Sequence, residues 1–393
     1  MTADTFPAVL LGGVHNTLSA TRSLGSTGVP IDVLAVDGVV SAARRSRFCR
    51  SYVEFPPDRL QERWLAWLVG AREPSVVIPA CDDGLELIAR HRSEIEKAGH
   101  RAIEAADDVL LAMLDKARTY ELAAAAGVPA PQARVVTSRN ELADVAAELS
   151  FPAFVKPTHS HVFLKRFPTR RKGCVLRRPS DLDDEVGPVV DAGVSMIVME
   201  LVPGHHGAFE SYYSYLDEAG KPLLHFTKSK LRQHPIGVGE GCYHMTAWSP
   251  EAAELGLRFF EAVGLRGIGN VEFKRDARDG QLKLIECNAR LTQADALVRR
   301  AGIDLPLLAY NRLVGRQLPD TSSFREGLRL WFPWNDLQAM RAYRAAGELG
   351  TLEWLLSIAH RQQLPLFDRT DLAPTLREGR RRAAKLACRV FPA

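Results

Sequence analysis

The sequence predicts an α/β protein that opens on a parallel sheet, continues through mixed strands and helices, and ends in helices. Three observations carry this. First, "AVLLGG" (8–13), a helical pattern from Thr17 to Thr27, the turn Gly28-Val29-Pro30 and "IDVLAVD" (31–37) stand in βαβ order, which implies parallel strands. Second, strand-like and helix-like runs alternate from 110 to 315 and include the hairpin "GNVEFKRDARDGQLKLIECNAR" (269–290). Third, the tail from 321 is mostly helical in pattern and carries Trp331, Trp334 and Trp354.

The remaining elements follow in order. "VVIPA" (76–80) reads as a strand and "DGLELIARHRSEIEKAG" (83–99) as a helix, which places a first domain at 1–113. "LLAMLDKARTYELAAAAGVPAPQARVV" (110–136) reads as one helix stopped by Gly127, then a proline turn and a strand. "FPAFVKP" (151–157) is a strand with Lys156 near its end. Residues 158–174 are polar, basic and weakly periodic, which predicts a mobile loop. "SMIVMELVPG" (195–204) is a strand closed by Pro-Gly, and 208–233 reads as two strands about an Asp217–Gly220 turn. "EAAELGLRFFEAVGL" (251–265) is an amphipathic helix, and "GIDLPLLAYNRLVG" (302–315) is another. The expected organisation is a domain at 1–113, a second at 114–320 with a mobile lid at 135–200, and a helical extension at 321–393. No internal repeat is seen.

Composition bounds the function. With 393 residues, 46% of them apolar, the chain can fill two or three cores. The net charge of +4 is small, so no nucleic-acid partner is expected. Basic residues crowd the last helix: Arg377, Arg380, Arg381, Arg382, Lys385 and Arg389. They read as a solvated face with Leu386 and Val390 turned inward; contact with a membrane surface or an acidic partner is the alternative. Six scattered cysteines without C-x-x-C spacing read as free thiols of a reducing compartment. The start lacks a signal-peptide pattern, and no run approaches the roughly 18 apolar residues of a membrane span. The expectation is a cytoplasmic protein, with a homodimer admitted.

The hairpin raises the chemical question. Its two apolar runs carry Glu272 and Glu286, and Asn288 follows. Asp279-Gly280 favours a turn, which sets the two glutamates nearly opposite each other. Glu286 and Asn288 share a face because they are two residues apart in a strand. A buried acid must protonate, pair or bind a metal. Glu272 could pair with Lys274 or Arg290 at a solvated edge. The triple of hard oxygens instead points to magnesium, with manganese as a substitute. Magnesium held this way implies a nucleotide, and Lys116 and Lys156 are the cations placed to meet its phosphates.

These pieces in order, "LDK" with "AAGVPAP", "FPAFVKP", "VMELVPG" and "VEFK…LIECNARLTQADALVRRAGIDLP", resemble the ATP-grasp fold over residues 110–315. The whole chain is similar to the carboxylate–amine ligase-like members. The resemblance implies two α+β subdomains gripping ATP, preceded by a small doubly wound domain that helps bind the carboxylate, where Gly12, Gly13 and His15 would line the pocket. It also implies phosphate contacts from Lys116 and Lys156, an adenine-reading hinge at Glu200, Leu201 and Val202, and magnesium on Glu272, Glu286 and Asn288. Arg290 would face the reacting group, with Lys230 and Arg232 binding anionic substrate or acyl phosphate. The implied reaction is ATP-dependent joining of a small-molecule carboxylate to an amine, releasing ADP and phosphate. Biotin carboxylase-like carboxylation and a non-catalytic ATP sensor are the alternatives.

The sequence departs from the family in two places. The loop after "FVKP" has one glycine where relatives have several, leaving Lys165, Arg166, Arg170, Arg171 and Lys172 to close over phosphates. After the hinge stands "PGHHGAFE", so Glu210 is the candidate for the ribose hydroxyls. Two rival motifs are weak. "LGGVHN" with Asp37 lacks the full G-x-G-x-x-G of a dinucleotide site, and His205–His206 lacks a third ligand for zinc.

Overall fold

The computed structural model describes residues 6–70 and 72–390, with 384–390 described by backbone alone. The chain forms two compact units, each assembled from separated stretches. One takes the residues up to Glu104, Arg290–Phe324 and the chain from Gln363; the other takes Ala105–Ala289 and Arg325–Gln362. Sequence boundaries at 113 and 320 assume contiguous domains. Periodicity is a local signal and does not report which core a helix joins.

The first unit begins with β1 (Ala8–Leu11), α1 (His15–Gly25), β2 (Ile31–Val36), β3 (Cys49–Phe55), α2 (Leu60–Val69), β4 (Val76–Pro79), α3 (Asp82–Lys97) and β5 (Arg101–Ala102). All pairings are parallel, in the order β3-β2-β1-β4-β5. Strand order reverses beside β1, the doubly wound pattern. Every residue of β1 and β4 is buried, which is why both read as unbroken apolar runs.

The second unit opens with two helices, α4 (Asp107–Leu114) and α5 (Lys116–Ala125), where the sequence suggests one. Asp115 breaks them with extended backbone (φ −94°, ψ 111°), and its Oδ1 accepts from the Ala117 and Arg118 amides at 2.9 and 3.4 Å. An aspartate at this position satisfies otherwise orphaned N–H groups of a new helix start. Then come β6 (Ala133–Val136), α6 (Leu142–Glu148), β7 (Ala153–Pro157), α7 (Ser160–Arg166), β8 (Cys174–Leu176), α8 (Asp181–Glu185), α9 (Gly187–Asp191) and β9 (Met196–Glu200). Their sheet runs β6-β9-β7-β8, antiparallel, over a core that includes Val136, Val155, Phe163, Leu176 and Val198. The expected loop at 158–174 contains a helix at Ser160–Arg166, which corrects its reading as irregular. Phe163 buries itself in that core and holds α7 in place, leaving 167–173 without helix or strand.

A second sheet follows from β10 (Phe209–Leu216), β11 (Phe226–His234), β12 (Glu240–Thr246), α10 (Pro250–Ala262), β13 (Gly267–Arg275) and β14 (Leu282–Asn288). Helix α10 packs on β10 and β13, and a Cβ on its Gly256 would come within 2.4 Å of the Tyr212 ring, so the close approach requires glycine. The chain returns to the first unit for α11 (Asp295–Ala301) and α12 (Leu305–Val314), both packed on α1. The tail is helical as expected, with β15 (Arg329–Trp331), α13 (Pro333–Ala345), α14 (Thr351–Ile358), β16 (Gln362–Gln363) and α15 (Ala373–Val390). Its two short strands complete a seven-stranded order β14-β13-β10-β11-β12-β15-β16.

Among the described residues no helix is long and apolar enough to cross a membrane. Cys49, Cys81, Cys174, Cys242 and Cys287 are free thiols. The side chains of Lys385, Leu386, Cys388, Arg389 and Val390 lie outside the described residues.

Candidate active site

The hairpin β13–β14 pairs Glu272 with Glu286 and Asn270 with Asn288. Paired residues share a face, so one side of the sheet carries both acids and the amide. Ser211 opposes Glu272 from β10, and Lys228 opposes Ser211 from β11. Lys230 opposes Phe209 and His244 on the same side. The result is a polar row on one face, while Val271, Phe273, Leu284 and Cys287 are buried in the core.

The acids are less enclosed than their apolar neighbours suggest. Glu272 is 19% exposed and Glu286 42% exposed. Glu272 pairs with neither Lys274 nor Arg290: Lys230 Nζ donates to its Oε1 at 2.7 Å. Lys274 Nζ donates instead to the Val202 carbonyl at 2.6 Å. Asn288 donates its Nδ2 to Asn270 Oδ1 at 3.2 Å, which leaves its own Oδ1 as an acceptor. Next to Lys230, Lys228 donates to Ser211 Oγ at 3.0 Å and lies 3.4 Å from His244 Nδ1. Burial, reinforced by Lys228 and Lys230, keeps His244 uncharged, far below the usual imidazole range.

Two lysines approach the acids from other elements. The register of β13 with β14 slips between Glu272 and Phe273, because Ile285 is an extra residue opposite that step. Such a bulge takes a carbonyl out of the ladder. Ile285 O accepts from Lys156 Nζ and from Tyr120 Oη, each at 2.9 Å. Lys156 also donates to Tyr120 Oη at 2.8 Å and is buried. Burial lowers its pKa to about 8, against the attraction of Glu286 and Glu272. Lys116, the first residue of α5, donates to Ser160 Oγ at 3.0 Å and stands 3.7 Å from Glu286 Oε1. Neither lysine is a solvated surface charge.

Tyr120 follows Lys116 by one helical turn, a spacing that places both on one face and could have flagged it. Ser160, Ser211 and His244 carry no such signal, whereas Asn270 stands two residues before Glu272 in one strand. Lys228 carries the same signal, standing two residues before Lys230.

The segment Glu200–Val202 is strapped to the hairpin. Glu200 Oε2 accepts from the Gln132 amide at 3.0 Å, and its Oε1 accepts from Lys283 at 3.2 Å and from Arg278. Burial alone would raise this carboxyl, but these donors hold it below the usual range. Asp276 anchors the same two cations, with Lys283 Nζ at 2.8 Å.

Three expected site residues do not join the row. Glu210 points to the α10 side, where Arg275 holds it at 2.8 Å and Ser249 Oγ donates to it. Arg232 opposes Tyr243, the neighbour of His244, because a bulge in β11 shifts the register. Successive residues of a strand alternate faces, so Arg232 sits opposite to Lys230 despite the two-residue spacing. There it forms a sealed bidentate pair with Asp336 at 2.6 and 2.9 Å. Arg290 belongs to the first unit and donates to Asp82 Oδ1 at 2.6 Å.

The rival motifs resolve on geometry. A Cβ on Gly13 would meet Thr17 Oγ1 at 2.4 Å and Asn16 Oδ1 at 2.7 Å, so the protein's own side chains fill the turn where a dinucleotide would lie. The His205 and His206 rings stack at 3.7 Å, and His206 lies 4.4 Å from the Tyr343 ring. Among the described residues no three His, Cys, Asp or Glu side chains cluster as a metal site. A cation at the hairpin would thus rest on two carboxylates, an amide oxygen and ligand oxygens.

Comparison with known proteins agrees with this architecture. The family model for the carbamoyl-phosphate synthase L chain ATP-binding domain matches residues 251–321. The chain is 25% identical over 266 residues to D-aspartate ligase of Enterococcus faecium, covering 64% of this chain and 63% of that protein. The match therefore spans less than two thirds of the relative's length. An N5-carboxyaminoimidazole ribonucleotide synthetase solved with ADP superposes with a TM-score of 0.64 at 17% identity, covering 83% of this chain and 82% of that one. Biotin carboxylase from Campylobacter jejuni superposes with a TM-score of 0.60 at 16% identity, covering 82% and 74%. The fold is ATP-grasp.

Proposed function

We propose that the chain is an ATP-dependent ligase that joins a carboxylate to an amine through an acyl phosphate, releasing ADP and phosphate. The observation that carries this is the convergence of buried Lys156 and Lys116 on the side of the hairpin where Glu272 and Glu286 stand in register. Lys116 and Lys156 bind the ATP phosphates, and Glu200, Leu201 and Val202 read adenine. Glu272, Glu286 and Asn288 fit magnesium: all are hard oxygen donors, and Asn288 commits its nitrogen elsewhere. Bound there, magnesium neutralises charge on the β- and γ-phosphates.

In this reading the carboxylate oxygen attacks the γ-phosphorus, and the bond to the β-phosphate oxygen breaks to release ADP. The amine nitrogen then attacks the acyl carbon and loses a proton, and phosphate leaves with the attacking oxygen. Lys230 and Lys228 supply positive charge beside Glu272. Positioning and charge neutralisation do the catalytic work, so no nucleophilic side chain is needed. Arg232 and Glu210 have no part in it.

The test is to supply magnesium-ATP with pooled amino acids and small carboxylic acids and follow phosphate release. With the active acid labelled by oxygen-18, label is expected in inorganic phosphate, and hydroxylamine is expected to trap a hydroxamate. AMP with pyrophosphate, or unlabelled phosphate, overturns the mechanism. Turnover with bicarbonate as the sole acid replaces it with ATP-dependent carboxylation.

A further inference from the structure

The first unit holds a cavity of about 410 Å³ that includes His15 and none of the residues assigned to ATP. It opens where β1 and β2 end: Val14 and His15 begin α1, and Gly38–Arg45 follow β2. The beginning of α15 completes it. Arg44, Arg45, Arg377, Arg381 and Arg382 line it against only two acids, Glu54 and Glu378. Five positive charges less two negative leaves three positive.

Most of these charges have assigned partners. Arg44 pairs with Glu54 at 2.6 Å. Glu378 takes Arg381 at 2.7 Å and Arg382 at 2.6 Å. Burial would raise the Glu378 carboxyl, but these hydrogen bonds hold it down at about 2. Among the described residues, Arg45 and Arg377 meet no acid. His15 is kept neutral, at about 4, first by burial and then by Arg382, so it adds no charge at neutral pH. The N-terminal end of α1 lines the same cavity and adds its partial positive charge.

A basic helix whose arginines only faced solvent would keep them apart. Here α15 brings them to Arg44 and Arg45, more than 300 residues earlier in the chain, around one concavity. Gathering like charges this way leaves an excess positive potential that an anion would neutralise. We propose that this cavity binds a small molecule through a phosphate monoester group. A phosphate monoester carries roughly −1.5 to −2 charges on three oxygens, and guanidinium forks match that geometry. A single carboxylate would leave most of the excess charge unmatched. Val39, Val40, Leu366 and Pro374 supply an apolar wall for the organic part. Lys116, Lys156 and the hairpin acids all lie in the other unit, so loss of nucleotide binding there and loss of phosphate binding here are distinguishable.

The test uses the full chain with Lys156→Ala, so that binding at the nucleotide phosphates is weakened. Phenyl phosphate is titrated by calorimetry at fixed ionic strength, with benzoate as the matched carboxylate. Saturable binding is expected, at least about tenfold tighter than benzoate. Adding Arg45→Ala and Arg377→Ala together is expected to weaken it at least about tenfold, with the lysine pair intermediate. Both side chains are exposed, so circular dichroism is expected to show an unchanged fold. Sedimentation with phosphatidic acid vesicles, against phosphatidylcholine vesicles, separates two sources of the same group. Arginine-dependent vesicle binding assigns a lipid headgroup; its absence beside phenyl phosphate binding assigns a soluble ligand. Equal affinity for benzoate, binding indifferent to the arginines, or no binding of either phosphate probe overturns the proposal.

Discussion

Lys230 and Arg232 stand two residues apart in β11, and each pairs with an acid, yet they sit in opposite settings. Lys230 meets Glu272 on a face where the acid stays 19% exposed. Arg232 meets Asp336 where the two side chains are 3% and 0% exposed. Ser357 Oγ accepts from Arg232 at 2.8 Å, and the indoles of Trp331 and Trp354 both donate to Asp336 at 2.9 Å. Every polar atom there is committed to the fold. The open row keeps carboxylate oxygens, on Glu272 and Glu286, that water or a ligand can still reach. Residue type alone does not separate a structural ion pair from a functional one; what its neighbours leave accessible does.

The sharpest way to break this contrast is Arg232→Ala. It leaves Asp336 as an uncompensated buried charge and is expected to destabilise the fold by about 3–5 kcal/mol, measured by denaturant unfolding. Stability within error of the parent would mean the pair is not sealed. Glu286→Gln probes the open side. It is expected to lower ADP formation about 10²–10³-fold while unfolding at the same denaturant concentration, since a carboxyl 42% exposed contributes little to stability. Full turnover by that variant would remove the hairpin from the site.

Lys156 tests the same face from β7. Lys156→Ala is expected to weaken ATP binding by roughly 1.5–3 kcal/mol by calorimetry. Its pKa near 8 adds a pH signature: the ammonium is present below that pH, so ATP affinity of the parent should fall as pH rises through 8, and the alanine variant should lack that step. Folding stability moves the other way. The unfolded chain holds this proton up to the ordinary lysine value of 10.5, so the burial penalty is relieved between about 8 and 10.5. An ATP affinity flat across pH 8 would detach Lys156 from the phosphates. The smallest effect is expected from Glu210→Gln on the helix side. ATP affinity should stay within about twofold, and a larger loss would restore Glu210 as a ribose ligand.

Much of the site was legible as pattern. Period-2 alternation together with the Asp279-Gly280 turn puts Glu272 opposite Glu286, and that register is what the hairpin adopts. Lys156 was legible as a lysine at the end of an apolar strand, and Lys116 as one at a helix start. Neither position revealed its partner, because Tyr120 and the Ile285 carbonyl arrive from elements 36 and 129 residues away.

Thus the order of strands and helices, the parallel first sheet and the facing acids follow from the sequence by itself, since alternation and turn chemistry act over a few residues. The bulges at Ile285 and in β11, the helix break at Asp115 and the discontinuous units were decided by tertiary structure. One extra residue in a strand reverses the face of everything beyond it. Whether a strand takes that residue depends on packing against distant neighbours: Asp336 for Arg232, and the Lys156 ammonium for Ile285.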